Sequence, residues 1–443
     1  MISRKKTSYL LVFLTMLLGI IIGYTLLSIN NSQQVVISPM QTFNENEEAI
    51  RFVSSWGAYD SKAPRLEKIF QNILSKHKNI AIEDSSMAGS QFLFVLKSDF
   101  ASNNEPDIFG LWPGSDMELL VKQGLVADLT ELVNDNPEWK ERFLPEVWEY
   151  VTYNDKIYGI PLEMTYEGLF INKDLFEKYD VKVPTNYEEL KEAIEIFKAN
   201  DIIPIAYNAT SEGSYIYQNI VTKLGGKEDV VTPFDEEGNI KSCYIDGMNY
   251  MKELYELGAF PSDYYLINDK ERNDLFINKK AAMIVQGAWF IGDNAVNSND
   301  TTIDILQFPD MPNGKGNDAV TYGPGNGILH ISTKAWNDES KRDKCITILK
   351  EMTNDESFME LSKESGFIAS IEIDNANNTY LGKKGNKLIE EATELVNPVD
   401  CCISRNVWDE IIVAQFSSVL RGTKTAEQLF EEVEIEYKEE NHD

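Results

Sequence analysis

YNDKIYGIPLEMTYEGLFINKDLFEKYDVKVPTNYEEL, residues 153–190, is the stretch whose reading decides the fold. Asn154 and Asp155 supply a turn, and residues 156–161 read as a strand edge ended by Pro161, which has no N–H to give to a ladder. Leu169, Phe170 and Ile171 form a continuous apolar run, short enough to be a strand buried on both faces. Asn172, Lys173 and Asp174 then open a helix with Leu175 and Phe176 turned inward. A second helix follows Pro184, with Thr185 expected as its cap and Glu188 three residues on. Taken by its residues alone, the stretch is a strand-to-helix crossover of an α/β protein.

On its N-terminal side, Ile50, Phe52 and Val53 predict a strand that delivers Trp56 at its end. Leu66, Ile69, Phe70, Ile73 and Leu74 recur at helical spacing within residues 65–76. A strand at 80–82, a helix at 91–100 and a strand at 106–109 follow, the last running into Trp112 and Asp116. This alternation predicts a mostly parallel sheet covered by helices, with ligands held at the carboxyl ends of its strands. On the C-terminal side, a helix over 215–224 closes at Gly225 and Gly226, and a strand over 281–285 turns at residues 286–290 (QGAWF). The Gly-rich segment 322–327 (YGPGNG) leads into a strand at 328–331, and residues 366–369 are a further short apolar passage.

The chain has 443 residues, 43% of them hydrophobic, which is enough for two or three domains with real cores. Its net charge of −31, from 72 acidic and 41 basic side chains, excludes nucleic acid as a partner, because that surface needs a basic face. Four cysteines and three histidines match no metal-ligand spacing and no catalytic motif, so no cofactor and no enzymatic activity are expected. Adjacent Cys401 and Cys402 are compatible with a vicinal disulfide or with two thiols. Basic Arg4, Lys5 and Lys6 precede an uncharged apolar run at 10–29, longer than a signal-peptide core and long enough to span a bilayer. The positive-inside rule puts residues 1–9 in the cytoplasm. The run is read as an uncleaved signal anchor, with cleavage as a secretory signal the competing reading. Residues 30–48 are polar and are expected to be a tether.

Gly159-Ile160-Pro161, the Leu169-Phe170-x-Asn172-Lys173-Asp174-Leu175-Phe176 step, and Pro184-Thr185 beyond it resemble the sugar-type extracellular solute-binding proteins of ABC importers, the maltose-binding-like family. The A-A-M-x-x-x-G-x-W-F run at 281–290 resembles the same family. It departs from lipid-anchored relatives in having no cysteine for acylation after the apolar run. Ala369 also stands where relatives often have proline. The resemblance implies an α/β, two-lobed periplasmic-binding-protein-like fold with a multi-crossing hinge, here preceded by one N-terminal transmembrane helix. One lobe would take residues 49–165 and 327–365, the other 171–321 and 370–443. It also implies a monomer that captures a carbohydrate outside the cell membrane by hinge closure and hands it to ABC permease membrane subunits. A sensor subunit, an enzyme of polysaccharide turnover and a binder of a non-sugar solute such as a polyamine are the alternatives.

A sugar ring has apolar C–H faces and a hydroxylated edge, so it is held by flat aromatics and by groups that accept hydroxyl protons. Trp112 with Asp116, in a loop after a strand, fits this pairing, and the resemblance places that loop at the sugar site. The resemblance also makes Trp289 the stacking platform of the other lobe and brings Trp408 toward the cleft. Trp56 is a further aromatic candidate, at a strand end. Glu163, Thr165 and Tyr166, just ahead of the hinge strand, are candidate polar contacts. Tyr215, Tyr217 and Tyr322 rank below them, since aromatics at helical spacing usually pack in a core.

Overall fold

The computed structural model describes residues 41–43, 48–57, 60–87, 91–292, 295–325, 327–373 and 378–440. The apolar run at 10–29 and most of the expected tether lie outside the described residues; among these, no helix is long and apolar enough to cross a membrane. In chain order the strands are β1 (Gln41–Phe43), β2 (Ala49–Val53), β3 (Ala81–Asp84), β4 (Ile108–Gly110), β5 (Thr152–Tyr153), β6 (Lys156–Ile157), β7 (Ile160–Pro161), β8 (Glu163–Asn172), β9 (Ile203–Ala206), β10 (Ala281–Gly287), β11 (Ile303–Leu306), β12 (Ala319–Gly323), β13 (Ile328–Ile331), β14 (Ile368–Ala369) and β15 (Glu394–Val396).

The first lobe is built on a sheet of order β1-β3-β2-β4-β13-β7. Its centre is parallel, β2 pairing with β3 and β4, and its flanks are antiparallel. Strand β1 falls within the segment expected to be a tether; its pairing with β3 brings the folded part forward to Gln41. The helix Ala63–Lys76 covers this sheet with Leu66, Ile69, Phe70 and Ile73, the spacing of one helical face, and Pro64 sits in its first turn, where no backbone donor is lost.

The second lobe carries the sheet β15-β12-β8-β10-β9, with β11 and β14 also pairing along β8. Every residue of β8 is buried. Leu169 and Ile171 enter one hydrophobic cluster and Phe170 the other, so both faces are covered, as the continuous apolar run predicts. The helix after Pro184 begins one residue later than expected. Asn186 is its cap, accepting from Glu189 N, while Thr185 bonds the Glu189 carboxylate. The helix Tyr215–Val231 breaks at Gly226, whose φ of 65° a helix interior excludes.

Three passages join the lobes. Strand β7 ends in the first sheet and β8 begins in the second, separated only by Leu162. Strands β12 and β13 likewise belong to different sheets, and β14 pairs Ile368 and Ala369 with Met164 and Glu163 at the start of β8. The passages touch closely. A Cβ at Gly327 would stand 2.3 Å from the Glu163 Cβ, so only glycine fits beside the first passage.

Candidate functional site

Along β8, Glu163, Thr165 and Glu167 alternate with Met164, Tyr166 and Gly168, so the two sets face opposite ways. Met164 and Tyr166 belong to a hydrophobic cluster, and the Tyr166 ring lies against Gly385, where a Cβ would meet its hydroxyl at 2.2 Å. Tyr166 was expected to contact ligand; it is a core residue, placed there by the period of the strand.

Glu163 is brought to the site but is engaged. Its Oε1 lies 3.0 Å from Lys62 Nζ, each side chain 3% exposed. Lys62 Nζ also sits 5.1 Å from the ring centroid of Trp56, which Phe367 meets edge-on at 6.4 Å. Trp56 is thus walled in by its own chain, and only 1% of it is exposed. Burial opposes charge on Lys62, but Glu163 and Asp60 together outweigh it and hold the ammonium above its ordinary value. The Asp60 carboxylate accepts from Lys62 N at 2.8 Å.

Four residues along β8 from Glu163, Glu167 is buried and accepts a hydrogen bond from Asn219 Nδ2 at 2.8 Å. Burial, and then Asp400, push its carboxyl well above the ordinary range, against the pull of Asn219. One helical turn before Asn219, the half-buried Tyr215 ring stands 5.3 Å from the Trp289 ring. Glu212, Glu167 and Asp400 all act on the Tyr215 hydroxyl and, with burial as the largest cause, keep it protonated. Burial and Asp269 raise the Glu212 carboxyl to about 7 against the pull of Arg272, and Asp60 of the first lobe adds to the rise. The carboxylates of the two lobes therefore act on each other across the cleft.

Trp289 itself is fixed by a chain of hydrogen bonds. Its Nε1 donates to Gln286 Oε1 at 2.9 Å, Gln286 Nε2 donates to Asn273 Oδ1 at 3.0 Å, and Arg272 Nη2 donates to the same oxygen at 2.9 Å. The ring folds back over Gly287, where a Cβ would lie 2.2 Å from it. The glycine two residues before this tryptophan is therefore a steric requirement. The indole remains partly exposed beside Tyr215.

Trp112 and Asp116 meet a different fate. Arg405 of the second lobe places its guanidinium carbon 5.4 Å from the Trp112 ring centroid and its Nε 3.3 Å from Asp116 Oδ2. Lys97 Nζ holds the other Asp116 oxygen at 2.7 Å, and Arg405 N donates to Ser115 Oγ at 2.8 Å. Asp400, at 3.4 Å, also faces the guanidinium. A cation of the chain thus fills the tryptophan-plus-carboxylate pairing that the sequence suggests for a sugar, and it ties the lobes together. Trp408 is fully buried in the second lobe, its ring 6.0 Å from Tyr217, and is a core residue.

Of the expected tryptophans, Trp289 and Trp112 stay partly exposed, and Trp112 has Arg405 over its ring. The structure brings Tyr215, ranked lower from the sequence, against Trp289, and adds Glu212, Glu167, Asp60 and Asp400 around the pair. Glu167 was legible in principle, being on the same face of β8 as Glu163. The others are brought in by contacts far apart in the chain. Partly exposed rings next to carboxylates suit a polyhydroxylated solute, with apolar faces stacked and hydroxyls donated. Cys401 and Cys402 are free thiols. Among the described residues, no cluster of side chains suited to a metal ion is found.

Comparison with known proteins agrees with this architecture. The profile of bacterial extracellular solute-binding proteins matches residues 59–347. A multiple sugar-binding protein of Streptococcus mutans is 25% identical over 281 residues, 61% of this chain; the match spans 64% of that relative, under two thirds of its length. A solved structure from work on xylan utilization by Caldanaerobius polysaccharolyticus superposes with a TM-score of 0.77 at 25% identity, covering 88% of this chain and all of that one. A chitin oligosaccharide binding protein gives a TM-score of 0.74 at 22% identity, over 85% of this chain and 94% of the other. With the profile matching well over half of its length and the two-lobed fold in place, the chain belongs to the bacterial extracellular solute-binding protein family.

Proposed function

We propose that this protein captures a carbohydrate outside the membrane, in the cleft between its lobes, and presents it to the membrane subunits of an ABC importer. The observation that carries this reading is the Tyr215–Trp289 pair, partly exposed and ringed by Glu212 and Asp400 of one lobe and Asp60 of the other. Sugar and oligosaccharide binding in the names of the similar proteins supports it. A ligand touching both lobes favours the closed arrangement by its greater affinity for it, and the three passages between the sheets are where the chain bends. The protein acts as a monomer, by binding rather than by catalysis.

A thermal-shift panel of neutral mono- and oligosaccharides, with polyamines as a contrasting set, tests the assignment. Ligand at about 100 times Kd is expected to add about 2.7 kcal/mol of stability. A response to polyamines alone would replace the sugar with a cationic solute.

The apolar run at 10–29 is proposed to hold the folded part at the cell surface as a single-pass anchor. Mass spectrometry of protein extracted from membranes is expected to recover peptides from before Asn30. A mature N-terminus beyond Ser32, with the protein in the medium, would show a cleaved secretory signal instead.

A further inference from the structure

The carboxylates around the Tyr215–Trp289 pair are unequally compensated. Lys62 Nζ lies 3.0 Å from Glu163, Arg272 Nη2 donates to Glu212 at 2.9 Å, and Arg405 Nη1 lies 3.4 Å from Asp400. Each of these cations already has a carboxylate of its own. Glu167 has none. It is 4% exposed, and among the described residues the one donor to its carboxylate is a neutral amide, Asn219 Nδ2 at 2.8 Å. Burial and then Asp400 raise the Glu167 carboxyl, and only Asn219 pulls the other way. A buried carboxylate costs free energy until a cation shares its surroundings.

Hydrogen bonds tie this carboxylate to the aromatic pair. The Asn219 amide that reaches Glu167 also donates to Tyr215 O at 2.9 Å, and the Tyr215 ring stands 5.3 Å from that of Trp289. The Tyr215 hydroxyl lies in the field of Glu212, Glu167 and Asp400, against the single guanidinium of Arg272. Aromatic faces in an excess of negative charge attract a cation. An independent feature of β8 calls for a ligand at the same place. Thr165, two residues before Glu167 on the same face, is 3% exposed, and its hydroxyl has no hydrogen-bond partner among the described residues. Its methyl packs on Gly325, where a Cβ would lie 3.3 Å away. The hydroxyl is thus left for a polar group that the chain does not supply.

Resting on the carbohydrate reading of the cleft, we infer that the ligand is an amino sugar with a free ammonium group, its ring against Trp289 and Tyr215 and its ammonium beside Glu167. The ammonium donates to the Glu167 carboxylate in a charge-assisted bond, and the Thr165 hydroxyl takes a neighbouring substituent. A hydroxyl in place of the ammonium leaves Glu167 without a cation. An acetamide does the same and adds bulk.

The test is calorimetric titration of the full-length protein at about pH 6, where a sugar amine is charged. The probes are glucosamine, galactosamine, mannosamine and short chitosan oligosaccharides, each matched with its N-acetylated form and with the sugar bearing a hydroxyl instead. In at least one set the amine is expected to bind about tenfold or more tighter than both matched sugars. Glu167→Gln keeps an acceptor for Asn219 and removes the charge, so the ratio of amine to hydroxyl affinity is expected to fall toward one. That ratio is the readout, and a loss common to both sugars does not alter it. Melting curves establish that the variant is folded; if it is not, the wild-type comparison decides alone. Neutral or acetylated sugars binding as tightly as the amines, or an undiminished ratio in Glu167→Gln, overturns the amino-sugar inference and leaves the carbohydrate reading standing. If wild-type protein binds no sugar of any set, the carbohydrate reading falls and this inference falls with it.

Discussion

Replacing Trp289 with alanine is expected to weaken sugar binding by about 30- to 1,000-fold, the consequence of losing about 2–4 kcal/mol at an aromatic hot spot. The indole is held in place by Gln286 and faces Tyr215, so it is organised before ligand arrives and little ordering entropy opposes binding. It also packs on the edge of a hydrophobic cluster, and some stability will go with it. A tryptophan buried in a core would instead cost about 3–5 kcal/mol of folding stability. Calorimetric titration and thermal melting separate these outcomes. Gly287→Ala provides an independent approach to the same claim. The added methyl would stand 2.2 Å from the ring and must displace it, so binding should fall although no ligand contact has been removed. Normal affinity in Trp289→Ala would falsify the platform assignment.

The largest effect on stability is expected from Lys62→Met. Lys62 and Glu163 are each 3% exposed, and removing the lysine leaves a buried carboxylate without its cation. Breaking such a pair from one side costs about 3–5 kcal/mol, because the remaining charge keeps its desolvation penalty and loses its partner. Denaturant unfolding at neutral pH measures the loss directly. The double variant Lys62→Met/Glu163→Gln is expected to recover much of it, since it removes the stranded charge. The pH dependence follows from the direction of the shift. Burial raises the Glu163 carboxyl already in the intact protein, and losing Lys62 removes the opposing pull. A group raised above its unfolded value, about 4.3 for glutamate, contributes stability that is fully present below that pH and is lost as pH rises through the folded value. The deficit of Lys62→Met should therefore shrink in acid and be complete at neutral pH. A deficit independent of pH would mean that Lys62 acts by packing alone, its stem filling space beneath Trp56.

Much of the hinge was legible because its constraints are local. The apolar triplet Leu169-Phe170-Ile171 identifies a strand covered on both faces, and adjacent residues do enter different clusters. The same period of two places Glu163 and Tyr166 on opposite faces, so both could not contact one ligand. Following that period four residues on from Glu163 reaches Glu167, the buried carboxylate beside Asn219. The cap of the helix after Pro184 moved from Thr185 to Asn186 because both residue types accept backbone N–H bonds, and only the path of the chain selects between them.

The sequence by itself determined the strand that crosses between the sheets and the strand-end turn that carries Trp289. These follow from side-chain period and from steric limits acting over a few residues. Tertiary structure alone decided which tryptophans remain accessible. Trp56 is closed off by Phe367, and Trp408 packs on Tyr217, through contacts that no local pattern encodes. The pairing of Asp116 with Arg405 joins residues 289 positions apart and turns a sugar-like constellation into a clamp between lobes. The face of an aromatic ring is open to a sugar or to an arginine of the same chain on equal chemical terms. Which one occupies it depends on where distant segments fold.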